Sequence, residues 1–252
     1  MSRHSAPFAP VALLALLAAP GCGGADARER TAVVFAAASL TAPFQALRAA
    51  FEERHPGTAL DLHFAGTPQL VVQLREGAAA DVLATADERS MQRVVDAGLT
   101  AGAPRVFAHN GLAIVVAAGN PRTVGGLADL AREDLRVALC GPEVPAGRYA
   151  RLALERAGVR VRSVSDEPSV NAVVGKVWLG EVDAGLVYAT DTRAAADRVA
   201  AVAVAADHDV LAAYPIAVLS SGAARGTGEA FARFVDSAEG REVLRSFGFR
   251  TP

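Results

Sequence analysis

Four short loops share one setting: Ala36-Ala37-Ala38-Ser39-Leu40-Thr41-Ala42-Pro43, Gly66-Thr67-Pro68, Val144-Pro145-Ala146-Gly147 and Ser169-Val170. Each follows a short strand-like run and precedes a segment of helical period, so each lies where a strand's carboxyl end passes into a helix N-terminus. Ser39 or Thr41 is placed to cap the first of these helices, with Pro43 in its first turn, and Thr67 reads as the cap of the second, with Pro68 at its first position. Helix N-termini carry unpaired N–H groups and the positive end of a dipole, so several that converge can hold an anion without one charged side chain. Ser39, Thr67, Ala146 and Val170 are all neutral, and glycine and alanine surround the first three. Donors without an acceptor favour a fully deprotonated oxyanion, because a proton kept by the ligand would face no partner, at a cost of about 1–3 kcal/mol. Phosphate near neutral pH is disfavoured on that ground; molybdate, tungstate and sulfate are not.

The elements that must position these loops are legible as an alternation. Thr31 to Phe35, Ala59 to Phe64 and Asp81 to Thr85 read as strands, with helical spacing between and after them at Phe44, Leu47 and Phe51, at Leu70, Val71 and Leu74, and at Met91, Val94 and Val95. The theme returns with strands at Arg136 to Cys140, Val161 to Val164 and Asp183 to Val187, and helices at about 146–156 and 171–179. Two such units imply an α/β protein of two lobes, each a mostly parallel sheet flanked by helices. Open sheets of this kind bind ligands at the carboxyl ends of their strands. The apolar stretches Gly111 to Ala117 and Ala212 to Leu219 stand where the chain would cross between lobes and return, as hinge segments or as ordinary buried strands. The tail, with Phe231, Phe234 and Val235 and then Val243, Leu244 and Phe247, reads as two helices returning to the first lobe.

Composition narrows the function classes. The 252 residues are 52% hydrophobic, and a net charge of −2 gives no field that would draw in nucleic acid. Arg3 and His4 precede an apolar run from Val11 to Ala19 that ends at Pro20, Gly21 and Cys22, the layout of an export signal too short to span a bilayer. The small residues before Cys22 resemble a lipobox, which would make Cys22 the lipid attachment point and 23–30 a tether. Cys140 then has no partner for a disulfide and reads as a buried thiol at a strand end. The five histidines are scattered and form no nucleophile or metal signature with it. Tyr188, closing Gly185-Leu186-Val187-Tyr188, reads as a core aromatic with its hydroxyl at the rim, and Asp87 and Asp191 read as solvated helix caps.

The string Ala36-Ala37-Ala38-Ser39-Leu40, the segment from Ala80-Asp81-Val82 to Thr85-Ala86-Asp87, Val144-Pro145-Ala146-Gly147 with Tyr149, and Gly185-Leu186-Val187-Tyr188 occur in that order. Together they resemble the periplasmic molybdate-binding proteins of ABC transporters, from about Thr31 to Phe249. The resemblance implies a two-lobed, type II periplasmic-binding fold, with residues 31–109 and 215–252 as lobe 1, 110–214 as lobe 2, and 1–22 as the signal peptide. It implies oxyanion contacts from the Ser39 hydroxyl and N–H, the Thr67 hydroxyl, the backbone N–H groups of Ala146 and Val170, and the Tyr188 hydroxyl. Thr67 stands where the family usually has serine, and Pro68 beside it has no N–H to give. Molybdenum would be bound only as molybdate, or tungsten as tungstate, with no separate cofactor and no catalytic residue. The implied partners are a membrane permease and, through the lipid anchor, the outer face of the cell membrane, with the protein itself exported or periplasmic and monomeric. The alternatives are a binding protein for another oxyanion, such as sulfate, and an enzyme on the same fold.

Overall fold

The computed structural model describes Met1 and residues 31–252, so the expected signal segment, tether and Cys22 lie outside the described residues. The first run of elements is β1 (Thr31–Ala37), α1 (Thr41–Arg54), β2 (Ala59–Ala65), α2 (Thr67–Arg75), β3 (Val82–Ala84), α3 (Glu88–Asp96) and β4 (Arg105–Asn110). The second is β5 (Leu112–Ala117), β6 (Val137–Cys140), α4 (Pro145–Arg156), β7 (Ser163–Glu167), α5 (Val170–Trp178), β8 (Ala184–Tyr188), α6 (Ala189–Ala194) and β9 (Val199–Ala203). The chain then returns through β10 (Ala212–Val218), α7 (Arg225–Val235) and α8 (Ala238–Ser246).

Each lobe is built on one five-stranded sheet, in the orders β2-β1-β3-β10-β4 and β7-β6-β8-β5-β9. In each sheet the strand next to one edge, β10 or β5, runs against the other four. The mostly parallel two-lobed α/β architecture expected from the alternation is therefore present. Helices cover the sheet faces, which is why the central strands are apolar on both sides. In lobe 1, Phe44, Leu47 and Phe51 of α1 are wholly buried, and Phe44 and Phe51 meet Phe231 of α7 edge to face at 5.8 and 5.5 Å. Asp81 ties that lobe together: its buried carboxylate accepts the N–H groups of Val33 at 2.8 Å and Ala224 at 2.7 Å.

The two apolar stretches flagged as hinge segments are strands inside the sheets, and the crossings lie at their ends. Gly111 alone separates β4 from β5, and residues 204–211 carry the chain from β9 back to β10. Because Ala212 pairs with Asn110, residues 212–214, assigned from sequence to lobe 2, join the sheet of lobe 1. Asp209 ties the crossings together, its Oδ1 accepting the N–H of Leu112 at 2.9 Å while also accepting that of its neighbour Val210 at 2.8 Å. No helix among the described residues is long and apolar enough to cross a membrane.

Candidate functional site

The four loops converge from both lobes on a cavity of about 20 Å³, lined by Ser39, Gly66, Thr67, Ala86, Val144, Pro145, Ala146, Ser169, Val170, Tyr188 and the alanines at 37 and 38. All five residues singled out for an oxyanion are thus at one place, and each is buried. A space of this size holds a ligand on the scale of a few atoms, not a sugar or a peptide.

Each donor is placed by local structure. Pro145 opens α4 and Ser169 caps α5, its Oγ accepting the N–H of Ala172 at 3.3 Å. Ala146 and Val170 therefore fall within first helical turns, where backbone N–H groups have no partner in the helix. The other two caps differ from expectation. Gly66 is the N-cap of α2, with Thr67 its first residue, so the Thr67 hydroxyl is not used in capping. Thr67 Oγ1 is instead buried with no hydrogen-bond partner. Ser39 and Thr41 do not cap α1 either: Thr41 Oγ1 donates back to Ala38 O at 2.7 Å, and Ser39, in a short 3-10 turn, meets Tyr214 Oη at 3.1 Å. Tyr188 closes β8 inside the cavity wall and not at an open rim, its Oη 3.5 Å from Ala86 O of the opposite lobe. Burial pushes its hydroxyl well above the usual tyrosine range, so it stays a neutral donor.

The lobes are closed on this cavity. Asn171 of α5 donates to Ala38 O across the cleft at 3.3 Å, and Arg93 faces Glu143 at 3.4 Å on the exposed side. Arg148 of α4 forms an ion pair with Asp87, which also caps α3 by accepting the N–H of Ser90 at 3.1 Å. Asp87 and Asp191 are both caps, as expected, but neither is solvated: they are 3% and 7% exposed. Asp87 and Arg148 neutralise each other, so among the described residues no uncompensated arginine faces the cavity, although Arg148 follows the Pro145 loop directly. Cys140 is buried, and burial first, with nearby carboxylates, pushes its thiol up and out of the nucleophilic range.

Asp191 accepts the N–H of Tyr188 at 3.0 Å, yet desolvation raises its pKa to about 7. A folded-state pKa above the unfolded one means that its contribution to stability is full in acid and is lost as pH rises from the ordinary carboxylate range through about 7. Asp191→Asn keeps an acceptor for Tyr188 without the titrating proton. Melting curves across that window should fall for the wild type and flatten for the variant; parallel curves would mean that Asp191 is not the group responsible.

Sequence reasoning missed Asn110, Tyr214 and the Asp87–Arg148 pair. Asn110 and Tyr214 are 104 positions apart yet their side chains lie 3.4 Å apart. Each lies at the lobe-crossing end of a strand, with no local spacing that would associate them. Among the described residues, no group of His, Cys, Asp and Glu is arranged to hold a metal ion.

The sequence profile of a family described as bacterial extracellular solute-binding protein matches residues 32–250. The molybdate-binding protein ModA of Mycobacterium tuberculosis is 41% identical over 223 residues, covering 88% of this chain and 85% of that protein. Among solved structures, the periplasmic molybdate-binding protein of Azotobacter vinelandii superposes with a TM-score of 0.75 at 20% identity, over 88% of this chain and 99% of that one. The sulfate-binding protein SubI of Mycobacterium tuberculosis superposes with a TM-score of 0.79 at 18% identity, over 88% and 86% of the two chains. At those identities the two superpositions speak for the fold.

Proposed function

The chain belongs to the bacterial extracellular solute-binding protein family, and from that premise we propose that it is the extracytoplasmic substrate-binding component of a molybdate ABC import system. The observation that carries the reading is the buried, unpartnered hydroxyl of Thr67 in a cavity walled by neutral donors from both lobes. Naming of the 41%-identical mycobacterial relative as molybdate-binding supports the same ligand.

The mechanism is capture. In the open form the anion meets the Ser39 and Thr67 side, and closure adds the N–H groups of Ala146 and Val170 and the hydroxyl of Tyr188. Water leaves as the lobes meet, which strengthens each hydrogen bond to the charged ligand. Selection over sulfate follows from the span of the closed cage, since only the larger anion reaches every donor. Tungstate, nearly equal to molybdate in size and charge, is taken as well. No cofactor is needed, and no bond is broken. An organic carboxylate would call for a free arginine fork, whereas Arg148 is engaged by Asp87. Attachment through Cys22 to the outer face of the membrane, action as a monomer, and delivery of the anion to a membrane permease complete the proposal.

Calorimetric titration of the purified protein with molybdate, sulfate and phosphate tests it. Molybdate should bind far more tightly than the other two, and Ser39→Ala and Tyr188→Phe should each weaken it by roughly tenfold, the worth of about one hydrogen bond to a charged group. Absence of heat with molybdate but saturation with sulfate would assign the site to the smaller anion; turnover of a substrate would move the protein to the enzymes.

A further inference from the structure

We infer that Tyr214 and Asn110 are positioning residues that fix Ser39 as a hydrogen-bond donor to the ligand, and so set the site's choice between fully deprotonated and protonated oxyanions. The inference rests on the reading of the cavity as an oxyanion site and deepens it, because neither residue is part of the cavity wall.

The side chains form a directed chain. Asn110, 2% exposed at the end of β4, donates from Nδ2 to Tyr214 Oη at 3.4 Å and to Thr190 Oγ1 at 2.7 Å. An amide nitrogen has only donors to offer. Tyr214 Oη receives one of them and also faces the Tyr188 hydroxyl; its contact with Ser39 Oγ at 3.1 Å can run either way, and we assign the Tyr214 proton to Ser39. Tyr214 is wholly buried, and burial holds it in its neutral, proton-bearing form. Ser39 Oγ then accepts from Tyr214, which commits the serine's one proton outward to the cavity. On that assignment donation runs from Asn110 through Tyr214 and Ser39 to the ligand, with the amide as its starting donor. A deprotonated tetrahedral dianion completes the chain. Hydrogen phosphate, of the same charge but with a proton to place, gains less from it.

The geometry also states where the chain is assembled. Asn110 is the last residue before the crossing at Gly111, Tyr214 lies just after the return, and Thr190 belongs to α6 of the second lobe. The relay itself therefore lies in the first lobe, and Asn110 ties it to the second through Thr190.

The test is displacement of molybdate by sulfate and by phosphate, at a pH where phosphate is the hydrogen phosphate dianion, for the wild type, Asn110→Asp and Tyr214→Phe. In Asn110→Asp a carboxylate that only accepts replaces an amide that donates, so Tyr214 turns its proton inward, Ser39 follows, and an acceptor faces the ligand. The added charge repels both dianions alike, so the ratio of sulfate to phosphate affinity reports the donor direction alone. That ratio should move toward phosphate by about tenfold or more, roughly one hydrogen bond exchanged for an unpaired group. Tyr214→Phe keeps the ring against Phe107, Tyr188 and Phe249 and should weaken molybdate by about tenfold while narrowing the same ratio. If Asn110→Asp does not fold, this second variant decides alone. Ratios equal to the wild type in folded variants that still bind would overturn the inference and leave the molybdate reading intact, whereas a wild type that binds no oxyanion at all would overturn both.

Discussion

Gly66→Ala is expected to abolish tight molybdate binding while leaving the unliganded protein as stable as the wild type. A Cβ on Gly66 would stand 2.2 Å from the backbone carbonyl oxygen of Pro168, far inside van der Waals contact. Gly66 opens α2 in one lobe and Pro168 precedes α5 in the other, so the clash exists only when the lobes are shut. With φ −58° and ψ 135°, Gly66 occupies a conformation open to any L-residue, and the substitution carries no backbone strain of its own. An anion in the open form loses the donors of one lobe, about 3 kcal/mol or more, which is a hundredfold or more in affinity. Calorimetry should show that loss beside an unchanged melting temperature of the empty protein. Affinity within about threefold of the wild type would mean that ligand is held without this closure.

Gly147→Ala should damage both binding and stability. Its Cβ would meet the carbonyl oxygens of Gly141 at 2.1 Å and Cys140 at 2.4 Å, both backbone atoms of the lobe that carries α4. The first turn of α4 seats on the end of β6 only because position 147 has no side chain. Relief requires the helix N-terminus to back away, taking the Ala146 N–H with it. Overpacking of a rigid site costs about 1–3 kcal/mol, and a donor displaced by even a few tenths of an ångström weakens its bond to the ligand. A melting temperature lower by several degrees, together with at least tenfold weaker molybdate binding, is the expected pair of results. Wild-type affinity would place Ala146 outside the contact set. The two glycines thus separate closure from construction: one variant fails only on shutting, the other in either state.

The units that repeat strand, donor loop and helix were legible because each carries its own local signal. Phe44, Leu47 and Phe51 show one helical face, and Pro145 and Ser169 mark helix starts found at those places. The strands β4 and β9 were not recognised. Each is an edge strand with a single partner, Arg105–Asn110 broken by polar residues and Val199–Ala203 rich in alanine, so neither shows a strong strand pattern. Loop chemistry was legible only in kind. Hydroxyls before helices suggested caps, but Ser39 turns to Tyr214 and the Thr67 hydroxyl is buried without a partner, choices made by residues far off in the chain. Burial of Asp87 and Asp191 was hidden for the same reason, since it follows from two lobes meeting and no local stretch encodes it.

Asp209, which joins the two crossing segments through its bond from Leu112, stands where a pivot between the lobes would lie. A pivot defines lever arms. Ser39, linked through Tyr214 to Asn110 beside that pivot, lies on a short arm, whereas the exposed Arg93–Glu143 pair marks the outer edge. A small opening swing then parts the edge before it separates the inner residues of the two lobes. With the cavity residues as the donors we propose, the dwell time of the anion is governed by the rim and its identity by the inner residues, so that the speed of handover and the choice of cargo would be adjusted by different positions.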